Sequence, residues 1–289
     1  MSVSIAALPD RNRVLRRLRA FGCALLLASL MSACAIPGAS TARATGDLRY
    51  TYEMPEAPGE EIPYRIFVPS RWNRGVHLPL VVVLHGYAGD ADTPFRDAGG
   101  LLQQEAEKHG FVVLAPNGYN GMADYGANLP LPSSLSRFGK PLAMSPEAES
   151  RLAEQDVFRA IERVMRDYGI DPRRVYLMGN SMGMTGVLHL AAEQPERWCA
   201  ISASDGPPWP DYPVGRLKTL AGVLFVHGEN DEIASPADTL RLAERARAAG
   251  VAATMHVVPG GTHAQAWVDY LPQTLEFFAR QDCAGGQAE

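Results

Sequence analysis

The stretch Arg174-Val175-Tyr176-Leu177-Met178 followed by Gly179-Asn180-Ser181-Met182-Gly183 constrains this chain more than any other. The apolar run reads as a buried strand, and Met184 to Glu193 has the composition of a helix, so the five residues between must turn the chain sharply. A serine at the apex of such a turn sits on a strained corner, its hydroxyl clear of the sheet and a helix N-terminus beneath it. Side chains at 179 or 183 would run into the neighbouring strand and helix, which is why both positions are glycine. A five-residue pattern arises by chance too easily to stand alone, so the rest of the chain has to supply partners for Ser181.

The partners come in sequence. Pro79 to Leu84 is a second apolar strand running into His85-Gly86-Tyr87-Ala88-Gly89-Asp90, a loop able to turn backbone N–H groups toward a carbonyl. The amides of Tyr87 and Met182 are the expected oxyanion hole. Gly222 to Gly228 is another buried strand, followed by Glu229-Asn230-Asp231-Glu232; Asp231 is the expected acid, and Asp205, past the strand ending at Ser204, is its rival. Thr254 to Val258 leads into Pro259-Gly260-Gly261-Thr262-His263, which makes His263 the expected base. His256 lies within a strand and His227 stands before Gly228 as His85 does before Gly86, so both read as structural. In this assignment neutral His263 takes the Ser181 proton and returns it to the leaving group, while ionised Asp231 fixes the imidazole tautomer.

With Leu84-His85-Gly86, Gly179 to Gly183, His227 to Asp231 and Gly261-Thr262-His263, in the chain order Ser181, Asp231, His263, the sequence resembles the α/β-hydrolases. The branch it looks like includes polyhydroxybutyrate-depolymerase-like, feruloyl-esterase-like and dienelactone-hydrolase-like esterases, and the likeness runs from about Tyr50 to Arg280. It implies a serine hydrolase that cleaves small or polymeric carboxylic esters through an acyl-enzyme. A peptidase or amidase of the prolyl-oligopeptidase-like type would use the same triad on a poorer leaving group. A non-catalytic envelope lipoprotein keeping the fold is the alternative of another class. Met184 departs from the third glycine that many relatives carry after the elbow, and the aromatic usual after the histidine is delayed to Trp267.

Periodicity predicts the same architecture: an α/β fold with a mostly parallel eight-stranded sheet flanked by helices on both faces. The strand candidates are Leu48 to Met54, Arg65 to Val68, Leu80 to Leu84, Phe111 to Ala115, Val175 to Met178, Ala200 to Ser204, Val223 to Val226 and Thr254 to Val258. Helical spacing marks Asp97 to His109, Pro146 to Tyr168, Met182 to Glu193, Pro236 to Ala249 and Ala264 to Arg280. The domain is expected over residues 48–283, with 284–289 a tail. Gly118 to Ser145 has no periodicity and reads either as a lid over the active site or as a disordered insertion. Tyr119 and Tyr125 within it, with Trp209 and Trp267, are the expected substrate contacts.

Residues 1–33 read as an export signal: Arg11, Arg13, Arg16, Arg17 and Arg19 precede the apolar run Ala20 to Leu30, which is too short to span a bilayer. Met31-Ser32-Ala33-Cys34 resembles a bacterial lipoprotein cleavage box, which implies lipidation of Cys34 and a membrane anchor; a plain secretory signal is the alternative. Residues 34–47, rich in Pro, Gly, Ala, Ser and Thr, are the expected tether. In an oxidising compartment Cys199 and Cys283 would be left as an even pair able to form a disulfide. The chain carries a net charge of −5, and losing the arginine-rich start makes it more acidic still, which argues against a nucleic-acid partner. No zinc-type cysteine and histidine spacing and no phosphate loop occurs, so no metal or cofactor is expected. Oligomeric state is not legible in the pattern.

Overall fold

The computed structural model describes residues 44–128, 144–209 and 211–283. Strands β1 (Gly46–Met54) and β2 (Ala57–Val68) form an antiparallel hairpin. They lead into β3 (Leu78–Leu84), β4 (Val112–Pro116), β5 (Ile170–Asn180), β6 (Ala200–Ser204), β7 (Gly222–Gly228) and β8 (Ala253–Val258). The eight strands make one sheet in the order β1-β2-β4-β3-β5-β6-β7-β8; β2 pairs antiparallel with β4, and every later pairing is parallel. This is the α/β-hydrolase fold that the sequence pattern led us to expect.

Alternation along the central strands builds two cores. Leu80, Val82 and Leu84 of β3 face one side, with α3 (Pro146–Tyr168), α4 (Met182–Glu193) and α5 (Pro236–Ala248) packed against that core. Val81 and Val83 face the other, beneath α1 (Thr93–Asp97), α2 (Leu101–His109), α6 (Ala266–Asp269) and α7 (Leu271–Ala279). A sheet covered on both faces needs strands that are apolar throughout, and all seven residues of β3 and of β7 are buried.

Several boundaries differ from those expected. Strand β1 begins at Gly46, not Leu48, because Gly46 and Asp47 pair with Val68 and Phe67. Asp97 to His109 is not one helix: Gly99 and Gly100 adopt φ of 56° and 93°, outside the right-handed region, so α1 ends and α2 begins anew. Ala264 to Arg280 likewise splits at Tyr270, where Pro272 in the first turn of α7 has no N–H to continue the helix before it. Residues 1–43, with the export segment and Cys34, residues 129–143 of the expected lid, and residues 284–289 lie outside the described residues. Among the described residues no helix is long and apolar enough to cross a membrane.

Candidate active site

The three side chains singled out in the sequence meet at the carboxyl end of the parallel strands, where loops converge in open α/β sheets. Ser181 lies between β5 and α4 with φ 58° and ψ −122°, a conformation costly for any residue with a side chain. Its N–H donates to the Ser204 carbonyl at 2.9 Å, and the Met184 N–H donates to the carbonyl of Ser181 at 2.9 Å, so both neighbouring elements hold the corner. A Cβ on Gly183 would stand 2.3 Å from the carbonyl oxygen of Leu84, and one on Gly179 would stand 2.6 Å from that of Gly183.

His263, on the loop after β8, places Nε2 2.8 Å from Ser181 Oγ and Nδ1 2.9 and 3.1 Å from Asp231 Oδ2 and Oδ1. Asp231, on the loop after β7, has its side chain fully shielded. Its Oδ1 accepts the N–H groups of Ile233 and Ala234 at 2.8 and 2.9 Å. Its Oδ2 lies 3.0 Å from Nε2 of the buried His227. Burial works against the charge on Asp231, but the Ala234 amide, His263 and the Ile233 amide outweigh it and hold the carboxyl below the usual range. The carboxylate therefore requires Nδ1 of neutral His263 to carry the proton, which leaves Nε2 to accept from the serine.

His227 completes a second layer. Its Nε2 faces the Ala234 carbonyl at 3.2 Å as well as Asp231, both acceptors, while Nδ1 is 2.9 Å from Thr239 Oγ1. Nε2 therefore donates and the threonine hydroxyl supplies Nδ1. Burial keeps this imidazole neutral. Donor atoms of Asp205, His227 and Asp231 lie within 4.8 Å of one another, a spacing a metal could use. Yet His227 presents a proton there and Asp231 is engaged with His263, so the set is arranged as a hydrogen-bond network. The acid on His263 is Asp231; Asp205 instead accepts the Gly228 N–H at 2.8 Å.

The loop after β3 presses on the elbow, since a Cβ on Gly86 would be 3.3 Å from Ser181 Cβ. Tyr87 follows directly in that loop and Met182, next to Ser181, opens α4, so the two residues expected to form the oxyanion hole come from separate elements. The ring nitrogens of His85 lie 2.8 Å from the carbonyl oxygens of Gly86 and Asn117, and the Ala88 N–H donates to Gly121 at 2.5 Å, which fastens this loop to its neighbour. Asn180 Nδ2 donates to the His263 carbonyl at 3.2 Å. Asn180 and Thr239 escape a reading of the sequence alone, because nothing local marks a residue whose partner comes from a distant element.

The expected substrate contacts fare differently. Tyr125 is fully buried, its hydroxyl donating to the His85 carbonyl at 3.1 Å and its ring filling the space beside Gly186 and Gly118; it supports the site from below and is not a pocket wall. Trp267 is also buried and lines a 10 Å³ cavity behind the elbow with His85, Gly86 and Asn180, room for about one water. Tyr119 is half-buried and its hydroxyl donates to Glu60 at 3.3 Å. Trp209 is half-buried, edge-on to Tyr212, and lines a 310 Å³ cleft against Asp238, Arg241 and Arg245.

The family model described as the dienelactone hydrolase family matches residues 68–269, a span that holds all three residues and both loops. The chain belongs to the dienelactone hydrolase family. Among curated relatives, this dienelactone hydrolase family member is 25% identical over 182 residues to the bifunctional acetylxylan esterase/xylanase XynS20E of Neocallimastix patriciarum, covering 63% of this chain and 23% of that protein. The chain spans less than half the length of the curated relatives it matches. Among solved structures, a thermostable esterase is 26% identical with a TM-score of 0.63, covering 81% of this chain and 63% of that one. A ferulic acid esterase from Anaeromyces mucronatus in complex with ferulic acid has a TM-score of 0.63 at 14% identity, covering 84% of this chain and 93% of that one, and bears on the fold alone.

Proposed function

We propose that this dienelactone hydrolase family member is a serine hydrolase that cleaves carboxylic esters through an acyl-enzyme. The observation that carries the reading is the continuous relay from Ser181 Oγ through His263 to Asp231, shielded from water at its acid end. Ser181 Oγ attacks the ester carbonyl as its proton passes to His263 Nε2, and the resulting oxyanion is held by the amides of Tyr87 and Met182. The imidazolium, stabilised by Asp231, protonates the leaving alkoxide; water then attacks the acyl-enzyme by the same proton route. Esterase names among the relatives support the class of bond cleaved.

Hydrolysis of p-nitrophenyl esters from acetate to palmitate, a feruloyl ester and a p-nitroanilide tests the reading. Ester turnover that Ser181→Ala lowers by on the order of a million-fold is the expected result. Cleavage of the anilide alone would make the protein an amidase, and turnover that survives in Ser181→Ala would remove the mechanism.

The reading extends to export and lipid anchoring at Cys34, supported by the arginine-rich start, the short apolar run and Met31-Ser32-Ala33-Cys34. In a bacterial host Cys34→Ser is expected to move the protein out of the membrane fraction. A variant that stays membrane-bound would rule out the lipid anchor.

A further inference from the structure

Asp205, directly after β6, has no part in the relay, yet it is fully buried beside it. It holds a left-handed backbone, φ 53°, that costs a non-glycine residue stability. Its Oδ1 accepts the N–H of Gly228, the last residue of β7 before the acid loop, and the backbone of Trp267 in α6, just past the histidine loop, adds a weaker pull. Oδ2 has no hydrogen-bond partner among the described residues. The titratable groups facing it are Asp231 and His227, with which its donor atoms form the 4.8 Å cluster, and His263 stands behind Asp231. Met184 of α4 brings no charge and takes the Gly206 N–H on its sulfur at 3.1 Å. A buried carboxylate with one orphaned oxygen beside a second carboxylate cannot hold its charge cheaply, whereas a carboxylic acid in the same place keeps the Gly228 bond.

Given the ester hydrolase reading, we propose that Asp205 is a positioning residue of the same site, a neutral carboxylic acid that fixes the base of the acid loop without adding a second negative charge beside Asp231. Burial first, and the Asp231 charge after the opposing pull of the Gly228 amide, push its carboxyl up to about 7. The charge state has a consequence at His263. An ionised Asp205 would stabilise the imidazolium and delay release of the base to higher pH; a neutral one leaves the base free at lower pH.

The test is the pH–rate profile of p-nitrophenyl acetate hydrolysis for wild type, Asp205→Asn and Asp205→Ala. Asparagine keeps an acceptor for Gly228 and is neutral at every pH, so its kcat should stay within about threefold of wild type. Its acid limb should coincide with that of wild type, because neither side chain carries a charge while His263 takes its proton; a limb displaced to lower pH would show an ionised Asp205 and overturn the proposal. Alanine frees the Gly228 N–H and should lose about ten- to a hundredfold in kcat with little change in KM. Asn as inactive as Ala would show that the anion is required, and Ala matching wild type at every pH would show that nothing is positioned; either result overturns the proposal. ¹³C-aspartate NMR of the wild-type protein covers the case in which a variant fails to fold. Two carboxyls should titrate above the usual range, Asp205 and the buried Asp156, and Asp156→Asn assigns them by elimination. No such carboxyl beyond Asp156 would overturn the proposal, and because this readout needs no turnover, its failure is separate from that of the ester hydrolase reading.

Discussion

At the residue scale, the site rests on contacts too close to tolerate one added atom. A methyl at position 183 would sit 2.3 Å from the Leu84 carbonyl, and strands and an elbow packed on both sides have nowhere to shift. Gly183→Ala is therefore expected to cost about 1–3 kcal/mol or more, read as a lower midpoint in urea, with activity lost beyond what stability explains. Asp231→Asn tests another kind of fit. The amide keeps the acceptor for Ile233 and Ala234 but can turn a donor toward His263 Nδ1, which reverses the tautomer, so kcat should fall by about 10⁴ while the fold survives. A drop of less than tenfold would mean that another carboxylate holds His263. Ser181, Asp231 and His263 were legible because each follows an apolar strand with a turn signal, a local pattern. His227 was legible as structural, but its contact with Asp231, the part of Thr239 and the state of Asp205 were not, because they depend on burial and on partners from other elements.

Among the elements, the two central helices of the sequence pattern, α3 and α4, begin and end at the residues periodicity gave them. α3 has one apolar face, α4 is buried nearly all round, and both have unambiguous starts: Pro146 with Ser145 as cap for α3, the elbow for α4. The helices that broke did so at Gly99-Gly100 and before Pro272, where a continuous apolar spacing hid a local backbone demand. The hairpin at the sheet edge was the least legible part, since β2 is exposed over much of its first half and owes its length to pairing with β1. That edge is tied down by Arg65, whose guanidinium bonds Asp47 of β1 at 2.5 and 2.7 Å and Asp92 at 2.9 Å and lies 4.3 Å over the Phe95 ring. The Arg65 hydrogen bond holds Asp47 below its ordinary carboxylate value of 3.8. A depressed carboxyl adds stability that is complete above the unfolded value and is lost as pH falls through the folded one. Arg65→Ala should thus destabilise by about 1 kcal/mol at pH 7 in urea unfolding, and the gap from wild type should narrow below pH 3.8. A gap constant with pH would assign the loss to packing on Phe95.

For the molecule as a whole, a disulfide among the described residues joins the segment after α7 to the sheet. Cys199, immediately before β6, is bridged to Cys283, which follows α7. Around it Tyr176 of β5 stacks on Phe278 of α7 at 4.9 Å, with its hydroxyl 3.7 Å from Cys283 sulfur. The bridge spans 84 residues, and the loop it closes contains Asp205, Asp231 and His263. Closing a loop of that length restricts the unfolded chain by an amount worth typically 2–4 kcal/mol. The bond sits where β6 begins, whereas Ser181 stands where β5 ends, so the full depth of the sheet separates it from the relay. Stability and catalysis should therefore part company: Cys283→Ser is expected to lower the urea midpoint by an amount corresponding to about 2–4 kcal/mol and to leave kcat at 25 °C unchanged. The same shift should appear in wild-type protein held in dithiothreitol, and a chain made in a reducing compartment should gain stability on oxidation. Equal stability with and without the bond would mean that the packing of Phe278 on Tyr176 already fixes α7, and a fall in kcat would mean that strain at the start of β6 reaches the relay through Asp205 at its other end.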